Sequence, residues 1–155
     1  MKKDDDAHKT HTQAEARNRV LVVSLQTGLV PLLRFLLSAD GLEVVTAQEP
    51  RDVLEKLGST GAKILLLDLH LPTANAMRLL ETIRVSCPQV FVITMAESAC
   101  RELAVESIGV GANGFLLEPL DFRILRSLLY RRIGETFANE TPQPLIKLRE
   151  QVSCR

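Results

Sequence analysis

The sequence has no tryptophan and three cysteines, Cys87, Cys100 and Cys154. An odd number of cysteines at wide spacings reads neither as a disulfide framework nor as a zinc-ligand pattern, and it fits a reducing compartment. There is no excess of charge of either sign, with 19 basic residues against 19 acidic. Composition therefore gives no case for nucleic acid or an anionic membrane surface as partner. No apolar run approaches the roughly 20 residues of a membrane span. Met1-Lys2-Lys3-Asp4-Asp5-Asp6 leads into no apolar stretch, so the N-terminus does not read as a secretory signal. A soluble, cytoplasmic protein is the expectation.

What is present is a globular composition, 46% hydrophobic over 155 residues, enough for one domain with a sizeable core. Residues 1–18 are polar and read as a flexible tail, with His8 and His11 as solvated residues rather than metal ligands. Order is expected over 19–137. Val20-Leu21-Val22-Val23, Leu42 to Ala47, Ile64 to Leu67, Val90 to Ile93 and Phe115 to Leu117 are short apolar runs that read as strands. Between them lie helical patterns: Pro31 to Leu37, Pro50 to Leu57, Met77 to Ile83, Leu103 to Val110, and a last helix capped by Asp121. Residues 138–155 read as a second tail, in which Leu145, Leu148 and Val152 keep a helical spacing. Continuous apolar strands alternating with helices mean a parallel sheet covered on both faces. In such a sheet, functional groups gather at the carboxyl ends of the strands. Those ends carry Ser24, Leu25, Asp68, Thr94 and Glu118.

Three segments there carry a resemblance. Ile64-Leu65-Leu66-Leu67-Asp68-Leu69-His70-Leu71-Pro72 resembles the phospho-acceptor segment of response-regulator receiver domains. Val92-Ile93-Thr94 is similar to their switch segment, and Gly111 to Pro119 to their fifth strand with its lysine-proline ending. The resemblance covers about residues 19–137. It implies a flavodoxin-like, doubly wound α/β fold with strand order 2-1-3-4-5 and five helices. It also implies a chemistry: an acidic pair and the acceptor aspartate hold Mg²⁺, and a lysine helps neutralise the phosphoryl oxygens. Asp68 takes the acceptor position, Thr94 and Phe115 the switch positions, and Pro119 follows a cis peptide.

The departures from that pattern are chemical. Ser24 and Leu25 stand where the acidic pair belongs, so two hard oxygen ligands are missing. Glu118 replaces the lysine, and a unit charge at ~5 Å is worth roughly 3 kcal/mol at an effective dielectric of 20. Met95 follows Thr94 and is expected to crowd the pocket, and Ala76 replaces a loop glycine. Glu118 is expected to face solvent or an arginine rather than pair with Asp68, and His70 to be a partly exposed loop residue. Thr94 reads as a plain strand-end hydroxyl.

The expectation is thus a degenerate receiver that is not an enzyme, with no catalytic residue, no resident metal and no cofactor, Mg²⁺ binding weak or absent. It acts by docking on another signalling protein through the fourth helix, fifth strand and fifth helix, with no output domain after about residue 138. Two alternatives stand beside it. One is a phosphorylated receiver using Asp68 in a phosphorelay. The other is a nucleotide or flavin binder, supported only by the Ser24-Leu25-Gln26-Thr27-Gly28 loop.

Overall fold

Leucine- and valine-rich segments build five strands, each followed by an amphipathic helix whose apolar stripe returns to the sheet. The computed structural model describes residues 19–137; both tails, with His8, His11 and the Leu145–Val152 stripe, lie outside the described residues. In chain order the elements are β1 (Arg19–Val23), α1 (Leu29–Ser38), β2 (Glu43–Ala47), α2 (Asp52–Thr60), β3 (Ile64–Asp68) and α3 (Thr73–Ser86). β4 (Phe91–Glu97), a 3-10 turn (Ser98–Cys100), α4 (Arg101–Val110), β5 (Gly114–Glu118) and α5 (Phe122–Phe137) follow. All strand pairs are parallel, and the sheet order is β2-β1-β3-β4-β5. This is the flavodoxin-like doubly wound arrangement, with β1 and β3 at the point where the chain reverses direction across the sheet.

The two-residue period of a strand sorts the core into two layers. Leu21, Val23, Leu65, Leu67, Val92 and Ala96 face α2, α3 and α4, where Val53, Leu57, Leu80, Ile83 and Ala104 meet them. Val20, Val22, Ile64, Leu66, Ile93 and Met95 face α1 and α5, against Leu33, Leu37, Leu125 and Leu129. The central strands are buried on both sides, which is why β3 reads as an unbroken apolar run ending in Asp68. Each fully buried leucine, isoleucine or valine contributes about 1.5–3 kcal/mol, so this double layer holds the strand ends in fixed positions.

The structure departs from the sequence reading at two places that matter for the site. β4 runs to Glu97 instead of stopping at Ile93, because Asp68 pairs with Met95 and β5 continues the ladder to Glu97. Thr94 therefore lies inside a strand and is wholly buried. Ala76 is not a loop residue: it sits in the first turn of α3, wholly buried.

Candidate functional site

Parallel strands bring all their carboxyl ends to one edge, where Ser24, Gln26, Asp68, His70, Glu97 and Glu118 converge. Asp68 ends β3 with its side chain 1% exposed. A carboxylate so buried needs hydrogen bonds to remain ionised without penalty, and this chain supplies them from its own loops. Oδ2 accepts from Ser24 Oγ at 2.6 Å and from Gln26 Nε2 at 3.1 Å. Oδ1 accepts from the backbone N–H of His70 at 2.9 Å and lies 2.6 Å from His70 Nδ1. Each oxygen thus has two neighbours, close to what a carboxylate can hold.

His70 lies in the loop after β3, partly exposed as its sequence suggests, and it is also a member of this network. Its imidazole, side chain 28% exposed, bridges Asp68 through Nδ1 and Glu97 through Nε2, the latter at 3.0 Å. Burial is the largest single influence on its pKa and works against the charged ring. The hydrogen bond to Asp68, the Asp68 charge, the Glu97 hydrogen bond and the Glu118 charge together outweigh it, so the pKa is raised. With Nδ1–H donated to Asp68, the 3.3 Å approach of Gln26 Nε2 to Nδ1 is a contact between two donors.

Glu118 turns neither fully to solvent nor to an arginine. Its Oε1 accepts from Gln26 Nε2 at 2.8 Å, so one amide nitrogen bridges Asp68 and Glu118 with its two protons. The reason is electrostatic: a neutral double donor between two carboxylates lowers their repulsion without adding a charge. Glu118's backbone carbonyl accepts from Ser98 Oγ at 2.6 Å, and the Glu118–Pro119 peptide is cis.

Thr94 points away from this cluster. Ser107 Oγ donates its one proton to Ala104 O at 2.6 Å, so in the 2.7 Å Thr94–Ser107 pair it is Thr94 that donates. Both residues are wholly buried, which ties β4 to α4. Phe115 is half-buried against the same layer of the core. Met95 packs fully buried in the opposite layer, among α1 and α5 residues, and is not a crowding group at the pocket's mouth.

Magnesium does not fit the donors present. Ser24 offers a neutral hydroxyl already given to Asp68, the Leu25 side chain has no ligand atom and the residue is 62% exposed, and Asp68 is engaged at both oxygens.

Sequence reasoning placed Ser24, Leu25, Asp68 and Glu118 at this edge. It missed Gln26, Glu97 and Ser107 as members of the network. Their one signal in sequence is place: Gln26 lies three residues past the end of β1, and Glu97 ends β4.

Comparisons with known proteins give the family and the fold. The response regulator receiver domain family matches residues 20–130, and the chain belongs to that family. It is 27% identical over 127 residues to the transcriptional regulatory protein ZraR of Escherichia coli K12, covering 82% of this chain and 29% of that protein. It is 30% identical over 115 residues to the luminescence regulatory protein LuxO of Vibrio campbellii, covering 73% of this chain and 25% of that protein. The chain therefore spans about a quarter of the length of these larger regulators. Among solved structures, the receiver domain of a Bacteroides fragilis response regulator superposes with a TM-score of 0.69 at 22% identity, covering 76% of this chain and 97% of that one. The receiver domain of NtrX from Brucella abortus gives 0.67 at 25% identity, over 74% and 98%. Among the described residues, no helix is long and apolar enough to cross a membrane.

Proposed function

We propose that this receiver is a degenerate one, which signals by protein contact and without Mg²⁺-dependent phosphorylation of Asp68. One observation carries the reading: both Asp68 oxygens are already hydrogen-bonded by the chain's own Ser24, Gln26 and His70. Phosphoryl transfer depends on positioning and on neutralising the oxygens of the transferred group. Here Glu118 adds a negative charge where the family uses a lysine, and the metal ligands at Ser24 and Leu25 are absent. On this reading the domain is not an enzyme, needs no cofactor and works in the cytoplasm. Its partner is another signalling protein that docks on α4, β5 and α5. Val105 on α4 and Tyr130 on α5 support that face, being 41% and 50% exposed.

The test is intact mass after treatment with acetyl phosphate and Mg²⁺, with Asp68→Asn as control. No Asp68-dependent gain is expected. A stoichiometric gain of one phosphoryl group, absent in Asp68→Asn, would favour the phosphorelay reading instead.

A further inference from the structure

We propose that His70, Glu97 and Glu118 form a binding site for a borderline divalent transition-metal ion such as zinc. One ligand atom from each residue lies within 4.8 Å of the others, and His70 Nε2 is 3.0 Å from Glu97 Oε1. Tetrahedral zinc, with bonds of about 2.0–2.1 Å, sets neighbouring ligand atoms about 3.3 Å apart. A small closure of exposed side chains reaches that geometry.

A second observation is independent of the ligand cluster. The buried carboxylate of Asp68 sits 2.6 Å behind the ring at Nδ1. Proteins use a carboxylate in that position to fix the tautomer of a metal-binding histidine and raise its basicity. With Nδ1–H held by Asp68, Nε2 is the free ligand position, 3.0 Å from Glu97 Oε1. On binding, the ion takes the place of any proton on Nε2 and releases it to solvent.

The donor chemistry selects the ion. One imidazole nitrogen with two carboxylates suits zinc and its neighbours, whereas magnesium prefers an all-oxygen octahedron. Glu118 keeps its bond to Gln26 through one oxygen and offers the other. The site needs neither Ser24 nor Leu25. It uses Glu118, the residue least compatible with phosphoryl chemistry, as a ligand. It would join the loop after β3 to the ends of β4 and β5, three strand ends bridged by one ion.

The experiment is zinc titration of the chelator-treated full chain against a chromophoric competitor, together with the Co²⁺ absorption spectrum. One equivalent is expected to bind saturably, and the Co²⁺ bands should be those of a nitrogen–oxygen site without thiolate charge transfer. Glu97→Gln and Glu118→Gln change exposed or half-exposed groups and should each weaken binding at least about tenfold. Asp68→Asn should weaken it by about 10–100-fold. The double change His8→Ala, His11→Ala should leave it intact. Thermal melts without metal check that each variant folds. The proposal is overturned if nothing saturates up to ~1 mM zinc. It is equally overturned if binding survives both glutamate changes, or disappears with His8 and His11. Acceptance of phosphate by Asp68 is a separate measurement, so the two readings fail independently.

Discussion

Asp68 is held by neighbours the acceptor chemistry would have to displace. Its position was legible in the sequence because a buried strand ending in a carboxylate is unusual. The hydrogen bonds to Oδ2 were not, because Ser24 and Gln26 come from the loop after β1. Their meeting with Asp68 depends on β1 and β3 being adjacent, which no local pattern encodes. Restoring charge therefore makes a strong test. Ser24→Asp, Leu25→Asp and Glu118→Lys together should restore saturable Mg²⁺ binding, followed by NMR shifts near Asp68. Adding His70→Ala should then increase acetyl phosphate labelling, because Asp68 Oδ1 loses the imidazole and keeps only the backbone N–H of residue 70. If the folded quadruple variant binds Mg²⁺ but gains no Asp68-dependent mass, lost charge and capped oxygens do not explain the defect. His70 also predicts a pH dependence. A histidine with a raised folded pKa contributes stability that is full below its unfolded value and lost as pH rises through the folded one. In chelator-treated protein, the urea-midpoint advantage of wild type over His70→Gln should shrink from about pH 6 towards about pH 8. An advantage that stays constant or grows would show that His70⁺ is not stabilised by its carboxylates.

The elements themselves were largely readable, since apolar runs of three to six residues between turn signals leave few alternatives to strands. β4 was cut short because Thr94-Met95-Ala96 mixes a hydroxyl with small and flexible side chains, and only pairing with β3 and β5 makes it strand. The turn from α4 into β5 shows what local pattern does encode. Gly111 has φ +132, and an added Cβ would lie 2.5 Å from Arg84 Cγ. The Arg84 stem cannot easily yield, because its guanidinium bonds Pro88 O, Val90 O and Asn113 Oδ1. Gly111→Ala should therefore destabilise by about 1–3 kcal/mol in urea unfolding. Gly58, inside α2 with open space around it, is the contrast. There alanine should stabilise by up to about 1 kcal/mol. Equal effects at both sites would mean that helix propensity, not the close approach to Arg84, governs the loss at Gly111.

On the scale of the whole molecule, the proposed partner contact has more than one candidate face among the described residues. The α4–β5–α5 face carries Val105 and Tyr130, while α1 carries Leu32 and Phe35, the latter 76% exposed. Val105→Asp is expected to abolish capture of the partner in a pull-down and Phe35→Asp to leave it within about 0.5 kcal/mol. The reverse result would move the docking face to α1. The α4 side of the α4–β5–α5 face is tied to β4 by the hydroxyl pair between Thr94 and Ser107, 2.7 Å apart and sealed from water. That pair works as a latch with a definite threshold. Withdrawing Thr94 leaves a buried acceptor unmet at about 1–3 kcal/mol. At roughly 1.4 kcal/mol per factor of ten, an input below that range cannot shift most of the population. Disturbances of β4 that cost less than this thus leave α4 where it is, and the α4 surface keeps one shape until a larger input exceeds the threshold.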